Sequence, residues 1–287
     1  MSGTVRNAVL SAVIALVVAV VVIAAAPEGD SPTAPDQNNS TWDAIQTRGT
    51  LRIGVTQAPP WYFKDPATDE WSGLGVSIGD AMAESLGVSL EPVEVTWGTA
   101  VSALQANQID TMFVLDATPA RAVAIDFPAQ PLLYYALAVL ADDDLDIETW
   151  DDLNRSDISI AVTQGTTMDT YVTGRLAEAT ILRFPSNGEA VAAFQSERVN
   201  AVSLFHPPLI AMREKIGRGQ IVLPAPIRQS TSSAGVRRES DTRWRDWVNT
   251  AISYYYQTGQ TQVWYEDFLV SFGVDPDTVP AIRREDW

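Results

Sequence analysis

Short apolar strands alternate with amphipathic helices along most of this chain. Strand patterns at Leu51–Val55 and Thr111–Leu115 are separated by helical patterns at Gly75–Leu86 and Thr99–Gln108. The distinction rests on hydrophobic spacing, which has a period near 3.6 residues in a helix and favours short apolar runs in a buried strand. A chain that alternates the two elements favours an open α/β sheet. Ligands of such sheets bind beyond the carboxyl ends of the strands, where the strand order reverses.

The same alternation continues through the second half of the chain. Further strands are predicted at Leu90–Val95, Ile158–Val162, Ile181–Phe184, Ala201–Leu204 and Ser232–Val236, and further helices at Asn187–Gln195, Arg243–Gln257 and Thr261–Phe268. Thr41 is predicted to cap a short first helix that ends at Gly49. A long apolar run, Leu133–Leu140, is suited to cross from one part of the fold to another. The acidic run from Asp142 to Asp144 marks a boundary.

Composition and charge exclude several classes of function. The 247 residues after position 40 are too many for one typical core and suit two lobes. A net charge of −17 argues against binding to nucleic acid or to anionic lipid, both of which attract basic surfaces. The chain has no Cys, which excludes disulfides, thiol catalysis and Cys-ligated metals. A single His, His206, cannot build a metal or catalytic centre by itself.

The first 40 residues carry an export pattern. Arg6 precedes an apolar run, Ala8–Ala26, whose final three alanines offer a cleavage site for a secretory signal. The run has 19 residues, close to the length of a membrane-spanning helix, so it could also remain as an anchor. We favour cleavage, and both interpretations export the rest of the chain. Pro27–Ser40 is polar and predicts a flexible linker.

Five motifs follow one another in a defined order: Gly49–Val55, Trp97 through Asp110, Thr118–Phe127, Gln164–Thr167 and the helix Val248–Tyr256. In this order they resemble the amino-acid-type (family 3) solute-binding proteins of bacterial ABC importers. The resemblance covers about residues 41–272. It implies a two-lobe α/β fold of the type II periplasmic-binding-protein class, in which each lobe is an open mixed sheet flanked by helices.

The resemblance also implies how the chain is divided. It gives a signal peptide or anchor at 1–26, a linker at 27–40, a first lobe from 41–136 and 229–287, and a second lobe at 137–228. Two crossing segments near Leu137–Leu140 and Gln229–Gly235 would join the lobes. Hinge closure about these segments would trap the ligand.

Arg121 is the ligand anchor that the resemblance implies. A guanidinium matches a carboxylate because its planar fork presents paired N–H donors. Thr118, three residues earlier, would donate its hydroxyl to the ligand and also cap the helix that follows. Taken without the motif, Arg121 would be interpreted as a surface residue that pairs with Asp126 or Asp116.

Other residues would surround the ligand from several sides. Gln164, Thr166 and Thr167 offer hydroxyl and main-chain N–H groups at a helix N-terminus of the second lobe, although an ordinary helix cap needs the same residues. Trp61 and Trp97 could stack on the ligand or attract its cationic group. The alternative for each is core packing, which is common for Trp.

Several positions depart from the family pattern, two of them in the predicted site. Phe205 stands where amino-acid binders of the family carry an acid on the second lobe, and a buried ligand ammonium without a counter-charge is costly. Asp116 stands where a Ser or Thr usually helps to bind the carboxylate. Either Asp116 takes over the ammonium, or the ligand is not an α-amino acid and Asp116 orients Arg121. On the sequence we prefer the second interpretation.

The sequence therefore predicts a binding protein and not an enzyme. It would capture a small carboxylate-bearing solute, an amino acid or a related organic acid, as a periplasmic monomer that serves an ABC permease in the inner membrane. No cofactor, metal, catalytic residue or nucleic-acid partner is expected. A tethered sensory or accessory binding protein is the first alternative, favoured by an uncleaved N-terminus in the mature protein. A dehydratase-like enzyme on the same fold is the second, and turnover of a candidate ligand would distinguish it.

Overall fold

A computed structural model of the protein describes residues 40–286, except for the side chain of Glu214. The predicted signal or anchor segment, and the linker up to position 39, lie outside the described residues. Among the residues described, no helix combines the length and apolar character that crossing a membrane requires.

Strands and helices alternate along the described chain, as predicted. The strands are β1 Thr50–Val55, β2 Phe63–Lys64, β3 Trp71–Ser72, β4 Ser89–Glu94, β5 Thr111–Leu115, β6 Ile125–Asp126, β7 Leu133–Ala141, β8 Ser159–Thr163, β9 Thr180–Phe184, β10 Ala201–Phe205, β11 Gln220–Val222 and β12 Gln229–Arg237. The α-helices are α1 Thr41–Arg48, α2 Leu74–Leu86, α3 Ala100–Gln105, α4 Pro119–Ala122, α5 Thr167–Arg175, α6 Asn187–Gln195, α7 His206–Ile216, α8 Arg243–Gln257 and α9 Gln260–Ser271. Short 3₁₀ turns lie at Trp150–Leu153, Pro276–Thr278 and Arg284–Asp286.

The main sheet is mixed and has ten strands. Its order is β4-β1-β5-β12-β7-β10-β8-β9, with β6 added on β12 and β11 on β7. At one end β1 runs parallel to β4 and β5, and at the other β8 runs parallel to β9 and β10. We call β4, β1 and β5 the first half of the sheet, and β10, β8 and β9 the second half. The two are joined by the crossing strands, β7 and β12, which pair antiparallel over Leu133–Ala136 and Gln229–Ser232.

Local sequence signals explain which face of α2 is buried and where the helix ends. Ile78 and Met82, four residues apart, lie on one face of the helix and are fully buried. That face packs on β1 and β4, and each such side chain contributes roughly 1.5–3 kcal/mol through burial. The helix ends where Gly87 adopts a left-handed conformation with φ 66°, which confirms the predicted stop.

Two local predictions are wrong and one helix was missed, each for an identifiable reason. Ser40, and not Thr41, caps α1 with its side chain. Helix α3 ends at Gln105, earlier than predicted, because Asn107 takes a left-handed conformation with φ 56°. The sequence analysis missed α7 because Pro207-Pro208 resembles a helix breaker. Proline is tolerated in the first turn of a helix, where its missing N–H has no intrahelical partner in any case.

The residues after α9 are fastened to the crossing strands. Ile282 is fully buried, and its carbonyl accepts a hydrogen bond from the main-chain N–H of Tyr134 in β7 at 2.8 Å. The N–H of Ile282 donates to the side-chain oxygen of Gln262 in α9 at 2.9 Å. This stretch is therefore part of the packing around the strands that join the two halves.

Candidate functional site

A small cavity lies between the first and second halves of the sheet, beside the crossing strand β7. Its volume is about 30 Å³, which is room for about two water molecules. Seven of the nine predicted binding residues line it: Trp61, Trp97, Asp116, Arg121, Thr166, Thr167 and Phe205. The structure therefore brings most of the predicted site together in one place, which we call the cleft.

Two predicted residues do not line this cavity. Thr118 accepts a hydrogen bond from the N–H of Arg121 at 3.2 Å and so caps α4, as predicted. The Gln164 side chain is exposed, and its main-chain N–H donates to Phe184 at 2.9 Å. A direct contact of either residue with a ligand stays a prediction.

Arg121 contacts both halves of the protein through main-chain oxygens. Its Nη1 donates to the carbonyl of Asp116 at 3.0 Å, and its Nη2 donates to the carbonyl of Gly165 at 3.1 Å. The pairing with Asp126 considered from the sequence is not formed, since Asp126 pairs with Arg238 at 2.8 Å. Burial lowers the pKa of Arg121 from its usual value, and the nearby Asp116 charge opposes that shift. Arg121 thus lies in the predicted place, with donors that could turn to a ligand.

The Asp116 carboxylate is buried and accepts hydrogen bonds from two hydroxyls. One belongs to Tyr135 of the crossing strand β7 and the other to Thr167 of the second half. Within residues 40–286 no basic side chain donates to this carboxylate, so it does not orient Arg121 in the way the sequence analysis preferred. Burial raises the pKa of Asp116 above its ordinary range, and the two hydroxyls only partly offset this. The site therefore holds a buried carboxylate that a cationic group would stabilise.

Asp116→Asn should stabilise the unliganded protein at neutral pH. An acid whose pKa is raised by folding destabilises the folded protein above that pKa, and this penalty shrinks as the pH falls below the folded-state pKa and is lost below the unfolded-state pKa. We expect a melting temperature a few degrees above that of the parent protein at pH 7, since each kcal/mol is worth about 2–4 °C in a protein of this size. The difference should shrink as the pH approaches 4. Circular dichroism melts across this range would measure it, and a constant difference would contradict the assignment.

Aromatic rings form a wall of the cleft. Tyr135 stacks on Phe205 with ring centroids 3.7 Å apart, and Trp61 lies 6.0 Å from Tyr135. The ring centroids of Trp97 and Tyr62 are 6.1 Å apart. Trp61 and Trp97 are buried and also line the cavity, so each packs in the core and forms part of the cavity wall.

Six further lining residues were not predicted from the sequence: Val114, Leu115, Tyr135, Met168, Asn187 and Pro208. Tyr135 stood inside the apolar run that was predicted to cross between lobes. The alternation of side chains along a strand was the only signal available for it, because that alternation directs Tyr135 and Ala136 to opposite faces. Met168 and Asn187 lie at helix N-termini, where no local pattern separates a lining residue from a packed one.

Two glycines face each other across the cleft. Gly98 follows Trp97 in the first half, and Gly165 precedes α5 in the second. A Cβ placed on Gly165 would lie 2.7 Å from the Cα of Gly98, closer than real Cβ contacts allow. Gly165 also has φ +75°, a conformation that favours glycine. The main chains of the two halves therefore approach each other more closely at this point than any other residue would permit.

Comparison with known proteins decides the family. The model of the bacterial extracellular solute-binding proteins, family 3, matches residues 51–271. The chain belongs to this family. The match includes all the motifs on which the resemblance rested, except for the first two residues of Gly49–Val55.

Solved structures confirm the two-lobe type II fold. The ancestral amino-acid-binding protein AncCDT-1, described as a precursor of cyclohexadienyl dehydratase, is 30% identical with a TM-score of 0.71, covering 80% of this chain and 99% of that one. The L-cysteine solute receptor of Neisseria gonorrhoeae is 26% identical with a TM-score of 0.73, covering 84% of this chain and 99% of that one. The predicted lobe boundaries stay a prediction.

A curated relative points the same way with weaker similarity. The putative amino-acid ABC transporter-binding protein YhdW of Escherichia coli K12 is 24% identical over 211 residues, which is 70% of this chain. The chain spans 62% of the length of that relative.

Proposed function

We propose that this protein is an extracytoplasmic receptor that captures a small molecule bearing both a carboxylate and an amine, and delivers it to an ABC permease. One observation supports this most directly. The guanidinium of Arg121 and the buried carboxylate of Asp116 line one cavity between the two halves, and the two charged side chains do not bond to each other. An α-amino acid carries the two complementary charges.

The ligand would replace two hydrogen bonds that join the halves across the cleft in its absence. Its carboxylate would take the donor of Arg121 that now bonds to Gly165, close to the N-terminus of α5, where main-chain N–H groups favour an anion. Its ammonium would bind Asp116 in place of the Thr167 hydroxyl. Trp61 and Phe205 would cover its apolar part, since aromatic faces also attract a cation. A ligand of this size needs more room than the 30 Å³ cavity offers, and side-chain movements in the cleft would supply it while Gly98 and Gly165 stay in contact.

The relatives support an amino acid as the ligand. YhdW is named as an amino-acid ABC transporter-binding protein, and AncCDT-1 as an amino-acid-binding protein. The proposal places this protein in the periplasm, as a monomer that is not an enzyme and serves a permease of the inner membrane. The alternative is a dehydratase-like enzyme, since AncCDT-1 is described as a precursor of cyclohexadienyl dehydratase. This alternative predicts that the protein converts its ligand chemically.

A thermal-shift screen tests the proposal. Each amino acid would be compared with its des-amino acid and with the corresponding amine, for example alanine with propionate and ethylamine. A cognate amino acid at a hundred times its dissociation constant should stabilise the protein by about 2.7 kcal/mol. This corresponds to a rise in melting temperature of roughly 5–10 °C. Equal shifts with the des-amino acid, or chemical conversion of the ligand, would contradict the proposal.

A further inference from the structure

A second and much larger crevice borders the crossing strands. Its volume is about 630 Å³, within the range of about 300–1,000 Å³ that is typical of small-molecule sites. We call it the hinge crevice. Its walls come from the crossing strands (Ala136 and Gln229), from the segment Leu223–Ile227, from His206 at the start of α7, and from Glu266 in α9. It therefore touches both halves of the protein and the strands between them.

The hinge crevice and the cleft lie on opposite faces of the crossing strands. Tyr135 lines the cleft, whereas its neighbour Ala136 lines the crevice. Successive side chains of a strand point to opposite faces, which explains this division. Phe205 and His206, at the junction of β10 and α7, are divided between the two cavities in the same way. A hinge motion that opens the cleft would consequently narrow the crevice.

The charges that line the crevice are negative. Glu266, Asp277 and Asp286 line it, and of the described residues no Lys or Arg does so. Asp286 lies 3.3 Å from Arg283, so its charge is partly balanced. Glu266 accepts a hydrogen bond only from the amide of Gln262, and within residues 40–286 neither Glu266 nor Asp277 forms an ion pair. An ammonium group complements these two carboxylates.

The other lining residues indicate that a ligand of the crevice would also have an apolar body and a hydrogen-bond acceptor. Leu223 and Ile227 are apolar side chains that remain 40% and 57% exposed. His206 is only 3% exposed, and its Nδ1 accepts the N–H of Ala136 at 3.0 Å, which leaves the proton of the neutral ring on Nε2. This Nε2 has no hydrogen-bond partner among the described residues. A buried donor without a partner is costly, so an acceptor oxygen in a ligand would stabilise it.

We propose that the hinge crevice is a second ligand site, for an organic amine with an apolar body and a hydroxyl oxygen. The ammonium faces Glu266 and Asp277, the apolar body lies on Leu223 and Ile227, and the oxygen accepts from His206. Because the crevice narrows as the cleft opens, its occupant favours the closed cleft. Binding at this site is independent of the proposed function, whereas the coupling to the cleft rests on it.

Isothermal titration calorimetry with 6-aminohexan-1-ol tests the site, with 1,6-hexanediol as the matched neutral probe. We expect the amine to bind at least about fivefold more tightly than the diol, since two partly exposed carboxylates attract it. A variant with both Glu266→Gln and Asp277→Asn should lose this preference. Asp267→Asn, which alters an exposed acid of the same helix that does not line the crevice, should retain it. Equal affinities for the two probes, or an unchanged double variant, would overturn the proposal.

Asp116→Asn separates the two sites, because Asp116 is the partner that the cleft offers to an ammonium. Binding of 6-aminohexan-1-ol should persist in this variant, and its loss would place the amine in the cleft instead. The coupling is measured in the parent protein by titrating the cognate amino acid with and without saturating amine. We expect affinity to rise about fivefold, the lower end of usual coupling between sites. An unchanged or weaker affinity would refute the coupling and leave the site itself intact.

Discussion

Arg121→Ala should weaken ligand binding at least about 30-fold while the protein remains folded. The guanidinium is the cation that faces the cleft beside Asp116, and of the described residues that line the cleft no other carries a positive charge for the proposed ligand carboxylate. Truncating one member of a buried, hydrogen-bonded charge pair costs about 2–5 kcal/mol, a loss of affinity from about 30-fold to several thousandfold. The fold should survive because Arg121 donates only to two main-chain carbonyls and lies outside the apolar core. Calorimetry of the cognate amino acid, together with circular dichroism, measures both results.

Arg245→Ala is the matched control for this experiment. Arg245 is another partly exposed arginine, but it pairs with Asp246 on the surface of α8 and does not line the cleft. Its removal should leave affinity within about twofold, since exposed ion pairs contribute little. Affinity retained in Arg121→Ala would show that the ligand carboxylate binds elsewhere, and the proposed site would be wrong.

Gly165→Ala should weaken ligand binding by preventing full closure. Its Cβ would lie 2.7 Å from the Cα of Gly98, and neither main chain can yield without moving one half away from the other. Forcing an extra carbon into a packed contact costs typically 1–3 kcal/mol, which corresponds to a loss of affinity of roughly 5- to 150-fold. The open protein is unaffected by this contact. Small-angle scattering should therefore show a larger radius of gyration for the variant than for the parent when ligand is present.

Alanine substitutions at two other glycines distinguish the effect of blocked closure on ligand affinity from the effect of backbone strain on stability. Gly49 has φ +71°, close to that of Gly165, and a Cβ on it would meet nothing within 4 Å. Gly49→Ala should lower the melting temperature as Gly165→Ala does, but without loss of affinity. Gly174→Ala, in α5 and also unobstructed, should leave affinity unchanged and raise the melting temperature slightly, because Ala stabilises a helix by about 0.5–1 kcal/mol relative to Gly. If all three variants bound equally well, the close approach of Gly98 and Gly165 would have no part in closure.

Most of the fold could be predicted because its signals are local. Hydrophobic spacing and glycine stops placed α2, α6, α8 and β5 within a residue of their observed bounds. The missed elements include two whose local signals are weak or conflicting. Helix α7 begins with two prolines, and the hairpin of β2 and β3 has only two residues in each strand. The prolines resemble a helix breaker, and a two-residue strand is too short to show a hydrophobic period.

The site was predicted less completely, for a different reason. The order of motifs brought Arg121, Asp116 and Thr167 into one cavity, but it could not show which group each would contact. Arg121 donates to the main chain of Asp116 and not to its carboxylate, a choice that depends on three-dimensional geometry alone. The contact of Gly98 with Gly165 likewise joins positions far apart in sequence. Such contacts have no signature in one chain considered by itself.

The attachment of Ile282 to Tyr134 has a practical consequence for measuring this protein. The chain beyond α9 is tied to the strand about which the two halves would turn, by the hydrogen bond from Tyr134 to Ile282. Arg284 is exposed, so a fluorescent dye attached at this position would lie near the crossing strands and close to both halves of the protein. A biosensor could therefore be built there without altering the residues that line the cleft, and its emission would report opening and closing of the two halves in real time.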